Sequence, residues 1–133
     1  MSERYFTPDE VEALIPMLTR LVEQLREAHE RGGEIRARMD AEHTRLTQAG
    51  GGMLDQARWR ADAAALESES ARAKQALDAI HGLGGVPKDL AQGLVDFPHL
   101  REGRVVNLCW KHGETRIRYW HGMDEGFAAR KPL

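Results

Sequence analysis

The sequence is poor in cysteine, in aromatics, in net charge and in long apolar runs. Its one cysteine, Cys109, among 133 residues rules out an intrachain disulfide and an all-cysteine zinc site. No apolar run approaches the roughly 20 residues of a membrane-crossing helix. The opening MSERYFTPDE has no apolar signal core. Both point to a cytoplasmic protein with no membrane partner. A formal charge of −2 is too small to argue for nucleic acid or an anionic bilayer. Aromatics make up 6% of the chain and charged residues 30%, a balance suited to a helix-rich protein with long exposed faces. The length fits one domain, residues 1–133, with a modest core.

Residues 1–49 read as a first helix. Thr7 can cap it, Pro8 suits the first helical position, and Glu10 stands where a capping box needs it. Phe6 and Val11 occupy the positions of a hydrophobic staple. Apolar residues then recur by sevens, with Val11, Leu18, Leu25, Met39 and Leu46 in one row and Leu14, Leu21, Ala28 and Ile35 in the other. Ile15 and Val22 widen the stripe. Pro16 and Gly32-Gly33 interrupt this pattern, and the helix is expected to run through them, bent. The Ala49-Gly50-Gly51-Gly52 stretch stops it. Residues 53–81 form a second helix with a thinner, alanine-rich seam through Trp59, Leu66, Ala73 and Ile80. The alanines imply close approach of the two helices.

Residues 82–133 change character. Leu94 to Phe97 reads as a short edge strand closed by Pro98, and Arg101-Glu102-Gly103 turns the chain into LCWKHGETRIRYWH, Leu108 to His121. Two runs of strand formers flank His112-Gly113, the signature of a two-residue hairpin. With that turn, Cys109 faces Arg116, Asn107 faces Arg118 and Val105 faces Trp120. One face then carries Val106, Leu108, Trp110, Ile117 and Tyr119; the other carries Cys109, Glu114, Arg116, Arg118 and Trp120. His121 falls on the apolar side, opposite Cys109. The fold class expected is α+β: a long antiparallel, coiled-coil-like two-helix hairpin followed by a small antiparallel β unit.

YFTPDE, the GVPKD and GLVDFP segments, LCWKHGE, IRYW with His121, and the GF-x-x-R tail together resemble the bacterial domain-of-unknown-function 2203 family. Some members of that family carry descriptions relating them to the cell-division initiation protein DivIVA. The resemblance is specific at the N-terminal cap and from roughly Gly85 to Leu133. It implies a fold and kinship, and no established activity.

Four constellations carry chemical potential. A metal site can be drawn from Asp96, His99, His121 and Asp124, because zinc takes nitrogen, sulfur and oxygen ligands; Cys109 has ligand-like spacing to His112 but lies on the wrong face for His121. Cys109 as a nucleophile needs a thiolate, stabilised by Arg116, and a base that the sequence does not fix. Asp96, Cys109, Glu114, Arg116, Arg118 and Trp120 form a polar cluster able to hold an anionic or aromatic ligand, or simply to brace the β unit. Trp120 covers the polar face, and its loss is expected to cost more than the loss of His121 unless that ring bonds a buried backbone group or a metal. Finally, the heptad seam can serve self-association. None of the four matches a catalytic signature. The first reading is therefore a structural or interaction module, a homo-oligomer or a binder of a protein partner through its helices, without a cofactor. The alternative is a small metal-dependent or ligand-binding protein or enzyme, with zinc as the metal, that uses the C-terminal cluster.

Overall fold

A computed structural model describes residues 4–50 and 52–133; Met1 to Glu3 and Gly51, one of the predicted stop glycines, lie outside the described residues. Helix α1 spans Pro8–Gln48 and α2 spans Gln56–Leu83. Five strands follow: β1 Val86–Asp89, β2 Leu94–Arg101, β3 Arg104–Lys111, β4 Tyr119–Gly122 and β5 Lys131–Pro132, with one 3-10 turn, Phe127–Ala129, before β5. They form one antiparallel sheet in chain order. The α+β architecture is the one expected from sequence.

The first helix starts where its capping chemistry places it. The Glu10 amide donates to Thr7 Oγ1 at 3.2 Å and the Thr7 amide donates to Glu10 Oε1 at 2.9 Å, which satisfies two otherwise orphaned donors. The helix continues through Pro16 and through Gly32-Gly33. Gly32 is buried, and a Cβ there would lie 3.7 Å from Leu66 Cδ1 of α2, the close approach that the small residues allow. Gln24 Nε2 bonds the Arg72 carbonyl and Arg38 pairs with Asp62, tying the helices side by side. The second helix is capped by Asp55 and begins three residues later than the sequence suggested, after the irregular Met53-Leu54.

The core lies between the helix pair and one face of the sheet. Phe6, Val11, Ile15, Leu18 and Val22 from the first turns of α1, with Ile80 from α2, pack on Val95, Phe97, Leu108 and Trp110. Each such side chain, fully buried, contributes about 1.5–3 kcal/mol. The β unit therefore grips the N-terminal part of α1 and the end of α2, and the distal part of the hairpin projects away from it.

Two strand expectations are corrected. β2 is an interior strand of eight residues, and Pro98 lies within it, paired with Asn107. Proline is tolerated because its carbonyl points away from β3 and accepts the Phe6 amide at 2.7 Å, so no ladder bond to β3 is missing. The second correction concerns β3 and β4. Instead of a two-residue hairpin with Asn107 opposite Arg118, Asn107 pairs with His121 and Leu108 with Trp120. The register has slipped by three residues. A turn does form at Gly113, φ +99, but residues 115–118 leave the sheet: Ile117 is buried in the helix-facing core and Arg116 reaches Glu12 of α1. An odd slip exchanges the two faces of a strand. His121 thereby moves to the face of Cys109, and Trp120 to the other.

A buried aspartate, cysteine and histidine on three strands

The face of the sheet turned away from the helices carries the candidate site. Asp96 on β2 is the register partner of Cys109 on β3, and Asn107, two residues before Cys109, is the partner of His121 on β4. Alternation puts all three side chains on one face of three adjacent strands, His121 diagonal to Cys109. Their ligand atoms all lie within 4.8 Å of one another. Asp96 and His121 are each 2% exposed and Cys109 1%. Charged and polar groups are buried this deeply only when they are paired or coordinated.

The imidazole is fixed at both nitrogens. Nδ1 lies 2.9 Å from the Gly122 carbonyl oxygen, which can only accept, so Nδ1 carries a hydrogen. Nε2 is then the atom turned to Asp96 Oδ1, at 3.1 Å. Burial first, and then the neighbouring Asp96 carboxylate, push the Cys109 thiol up to about 12, and the thiol hydrogen-bonds to Asp96. Left to itself the sulfur is protonated and a poor nucleophile. Arg116, the cation expected to activate it, is on Glu12 at 3.3 Å instead. Nucleophilic catalysis by Cys109 has neither its thiolate nor its charge partner here.

The C-terminal segment covers this face. Arg130 Nη2 donates to the Cys109 carbonyl at 3.0 Å and to Glu114 Oε1 at 2.7 Å. Its guanidinium stacks on Tyr119 and Phe127, with centroid distances of 4.2 and 4.8 Å. β4 stops pairing with β3 at Leu108, and Arg130 takes over the strand's next free carbonyl. Glu114 also accepts the Lys111 amide at 2.7 Å, which makes it the joint between loop and tail. Beyond the site, Glu125 Oε1 accepts the Gly122 amide and Lys131 Nζ. Lys131 first, then the Gly122 N–H, hold the Glu125 carboxyl below its ordinary range.

The structure unites some of the residues singled out from sequence and separates others. Asp96 and His121 of the metal set meet, joined by Cys109, which the assumed register had placed on the opposite face. His99 lies on the helix-facing side of β2 and bonds the Phe6 carbonyl at 2.6 Å, and Asp124 is exposed; neither belongs to the cluster. Glu114 sits at its edge through Arg130. Arg116 serves α1, the Arg118 side chain is exposed, and Trp120 faces the other way, between Arg101 and Lys131. His112 is a bracket between sheet and α1, 3.1 Å from Glu23 and 3.4 Å from Arg26. Arg130 and Gly122 lie outside the residues that the sequence singles out for the site. The arginine of the GF-x-x-R tail was the available signal for the first; the second acts through its backbone and has none.

Residues 4–133, nearly the whole chain, match the family profile described as "Uncharacterized conserved protein (DUF2203)", and the chain belongs to that family. No curated protein and no solved structure gives a significant match. No helix is long and apolar enough to cross a membrane among the described residues.

Proposed function

Taking membership of the DUF2203 family as the premise, we propose that this protein binds one zinc ion through Asp96, Cys109 and His121. The observation that carries the reading is the convergence of three different ligand types, from three neighbouring strands, within 4.8 Å in a buried site. Zinc accepts this mixture of oxygen, sulfur and nitrogen at bond lengths of about 2.0–2.3 Å, and with three protein ligands its fourth tetrahedral position would fall to water. Those lengths place tetrahedral ligands about 3.3–3.6 Å apart, and the Asp96–His121 pair is already at 3.1 Å. The Nδ1 bond to Gly122 is the outer contact that turns Nε2 to a metal. The ion itself converts a neutral thiol to a thiolate ligand. Coverage by the C-terminal segment suits a centre that ties β2, β3, β4 and the tail together more than one that admits large substrates.

Calorimetric titration of chelator-treated protein with zinc tests this. One site per chain is expected, lost in Cys109→Ala and in His121→Ala and retained in His99→Ala and Asp124→Ala. Zinc uptake unchanged by Cys109→Ala would sink it. A triad serving only as a hydrogen-bonded brace takes up no zinc at all.

A second reading concerns the helices, which serve as the self-association arm of the same molecule. It is supported by the hairpin beyond the β unit, where Met39, Leu46, Leu54, Trp59 and Leu66 are only half-buried and Met53 is exposed. A two-helix seam this thin leaves apolar surface for another copy. Light scattering under reducing conditions should give a dimer for both wild type and Cys109→Ser, and a monomer for Trp59→Glu. A monomeric wild type, or a dimer lost in Cys109→Ser, contradicts it.

A further inference from the structure

A second cluster lies on the helix-facing side of the sheet, at the end that the helices leave uncovered. Arg101 closes β2 and Arg104 opens β3, and the two are direct register partners across the Glu102-Gly103 turn. Like charges directly opposite each other destabilise a sheet. Neither arginine is in an ion pair among the described residues, whereas Arg31, Arg38 and Arg45 of α1 each meet a carboxylate. Next to them the Trp120 ring has the Arg101 guanidinium at 4.8 Å and Lys131 Nζ at 4.7 Å. Its indole Nε1 is buried and bonds to nothing among the described residues.

These side chains, with Glu102 and Glu125, line a groove of about 730 Å³, within the size range of small-molecule sites. Of its charges, Lys131 and Glu125 neutralise each other at 2.6 Å, and Glu102 lies in the turn itself. The Arg101 guanidinium lies over the Trp120 ring, and Arg104, which lines the same groove, adds a second cation without an ion pair among the described residues. Paired forks of this kind recognise a planar or tetrahedral oxyanion in a bidentate manner, which ammonium groups do not.

We infer that the groove formed by Arg101, Arg104 and Trp120 binds the phosphate group of a small soluble phosphate monoester. The site is separate from the zinc ligands and faces the opposite side of the sheet. It stands or falls without them, and its test is run on chelator-treated protein.

Nitrogen-labelled protein should show three indole N–H resonances, from Trp59, Trp110 and Trp120, to be assigned by replacing each with phenylalanine. Titration with phenyl phosphate, and in parallel with inorganic phosphate, should move the Trp120 resonance saturably and leave the other two in place. Arg104→Gln, which removes an exposed side chain and leaves the Arg101–Trp120 stack intact, should weaken binding about tenfold, the worth of one charge-assisted hydrogen-bonding pair, at an unchanged melting temperature. Arg101→Gln with Arg104→Gln should abolish it. No shift, equal shifts of all three indoles, or binding that survives the double substitution overturns the inference. An equal response to acetate at matched ionic strength overturns the phosphate class. Preference for vesicles carrying phosphatidic acid over phenyl phosphate overturns the soluble source.

Discussion

Replacing His121 with alanine removes one half of a buried pair. His121 and Asp96 side chains are each 3% exposed and 3.1 Å apart. The substitution takes from the buried Asp96 carboxylate its bond to the imidazole. Breaking a buried pair by deleting one partner costs about 3–5 kcal/mol, chiefly because the other is left uncompensated. A domain of this size has a total stability of only about 5–15 kcal/mol, so the loss is a large share of it. With roughly 3–5 °C of melting temperature per kcal/mol at this chain length, the fall should be about 10–25 °C. Trp120→Ala should cost less than the roughly 3–5 kcal/mol of a fully buried aromatic, because Trp120 is half-exposed and its indole nitrogen forms no bond to lose. The sequence alone suggests the reverse order, except where the His121 ring bonds a buried backbone group; in the structure the ring bonds both the Gly122 carbonyl and the Asp96 side chain. The assay is thermal and urea unfolding of His121→Ala, Asp96→Ala, the double variant and Trp120→Ala, all with chelator present. The double variant should be more stable than additivity predicts, by about 0.5–3 kcal/mol, the coupling of residues in direct contact. A His121→Ala loss smaller than that of Trp120→Ala, together with strict additivity, would refute the reasoning.

The C-cap glycine of α2 gives a cleaner test of the core. Gly84 has φ +99 and an added Cβ would collide with the Phe6 ring, whereas Gly50 has φ +70 and open space around it. Gly50→Ala should cost only the left-handed strain of about 1–2 kcal/mol, and Gly84→Ala that plus overpacking of about 1–3 kcal/mol; equal urea midpoints for the two would show that Phe6 is not held against the cap. The capping box has a pH signature. The Thr7 amide first, then its hydroxyl, hold the Glu10 carboxyl below its usual 4.5. A carboxylate whose folded value is lowered contributes stability that is present above the unfolded value and is lost as pH falls through the folded one. Melting temperatures should therefore fall on acidification from roughly pH 5 downward, less steeply in Glu10→Gln, and parallel curves would contradict the assignment.

The parts of the fold that were legible in the sequence are those fixed locally. The Thr7–Glu10 box, the heptad rows and the glycine stop involve residues within a few positions of one another, and the helices form where those signals lie. The β3–β4 register depends on contacts that no local pattern announces. His112-Gly113 does make a turn, but burial of Ile117 against the helices and the reach of Arg116 to Glu12 draw residues 115–118 out of the ladder. Pro98 looks like a strand end in the sequence because no local pattern shows that the Phe6 amide, 92 residues earlier by numbering, donates to its carbonyl. The site inherits the register difference. Asp96 and His121 were each recognisable as ligand types, while the three-residue slip decided whether Cys109 joined them. β4 has only four residues, too few for its apolar pattern to settle which face is which.

Metal content of the protein, expressed without a histidine tag and purified without chelator, tests the zinc centre most directly. Elemental analysis should return close to one zinc per chain for wild type, His99→Ala and Asp124→Ala, and background for Cys109→Ala and His121→Ala. After exchange to cobalt, wild type should show the thiolate charge-transfer absorption that a Cys109 ligand produces. Background metal in the wild type that zinc supplementation does not raise, with all variants alike, would contradict the account and leave Asp96, Cys109 and His121 as a hydrogen-bonded brace of the sheet.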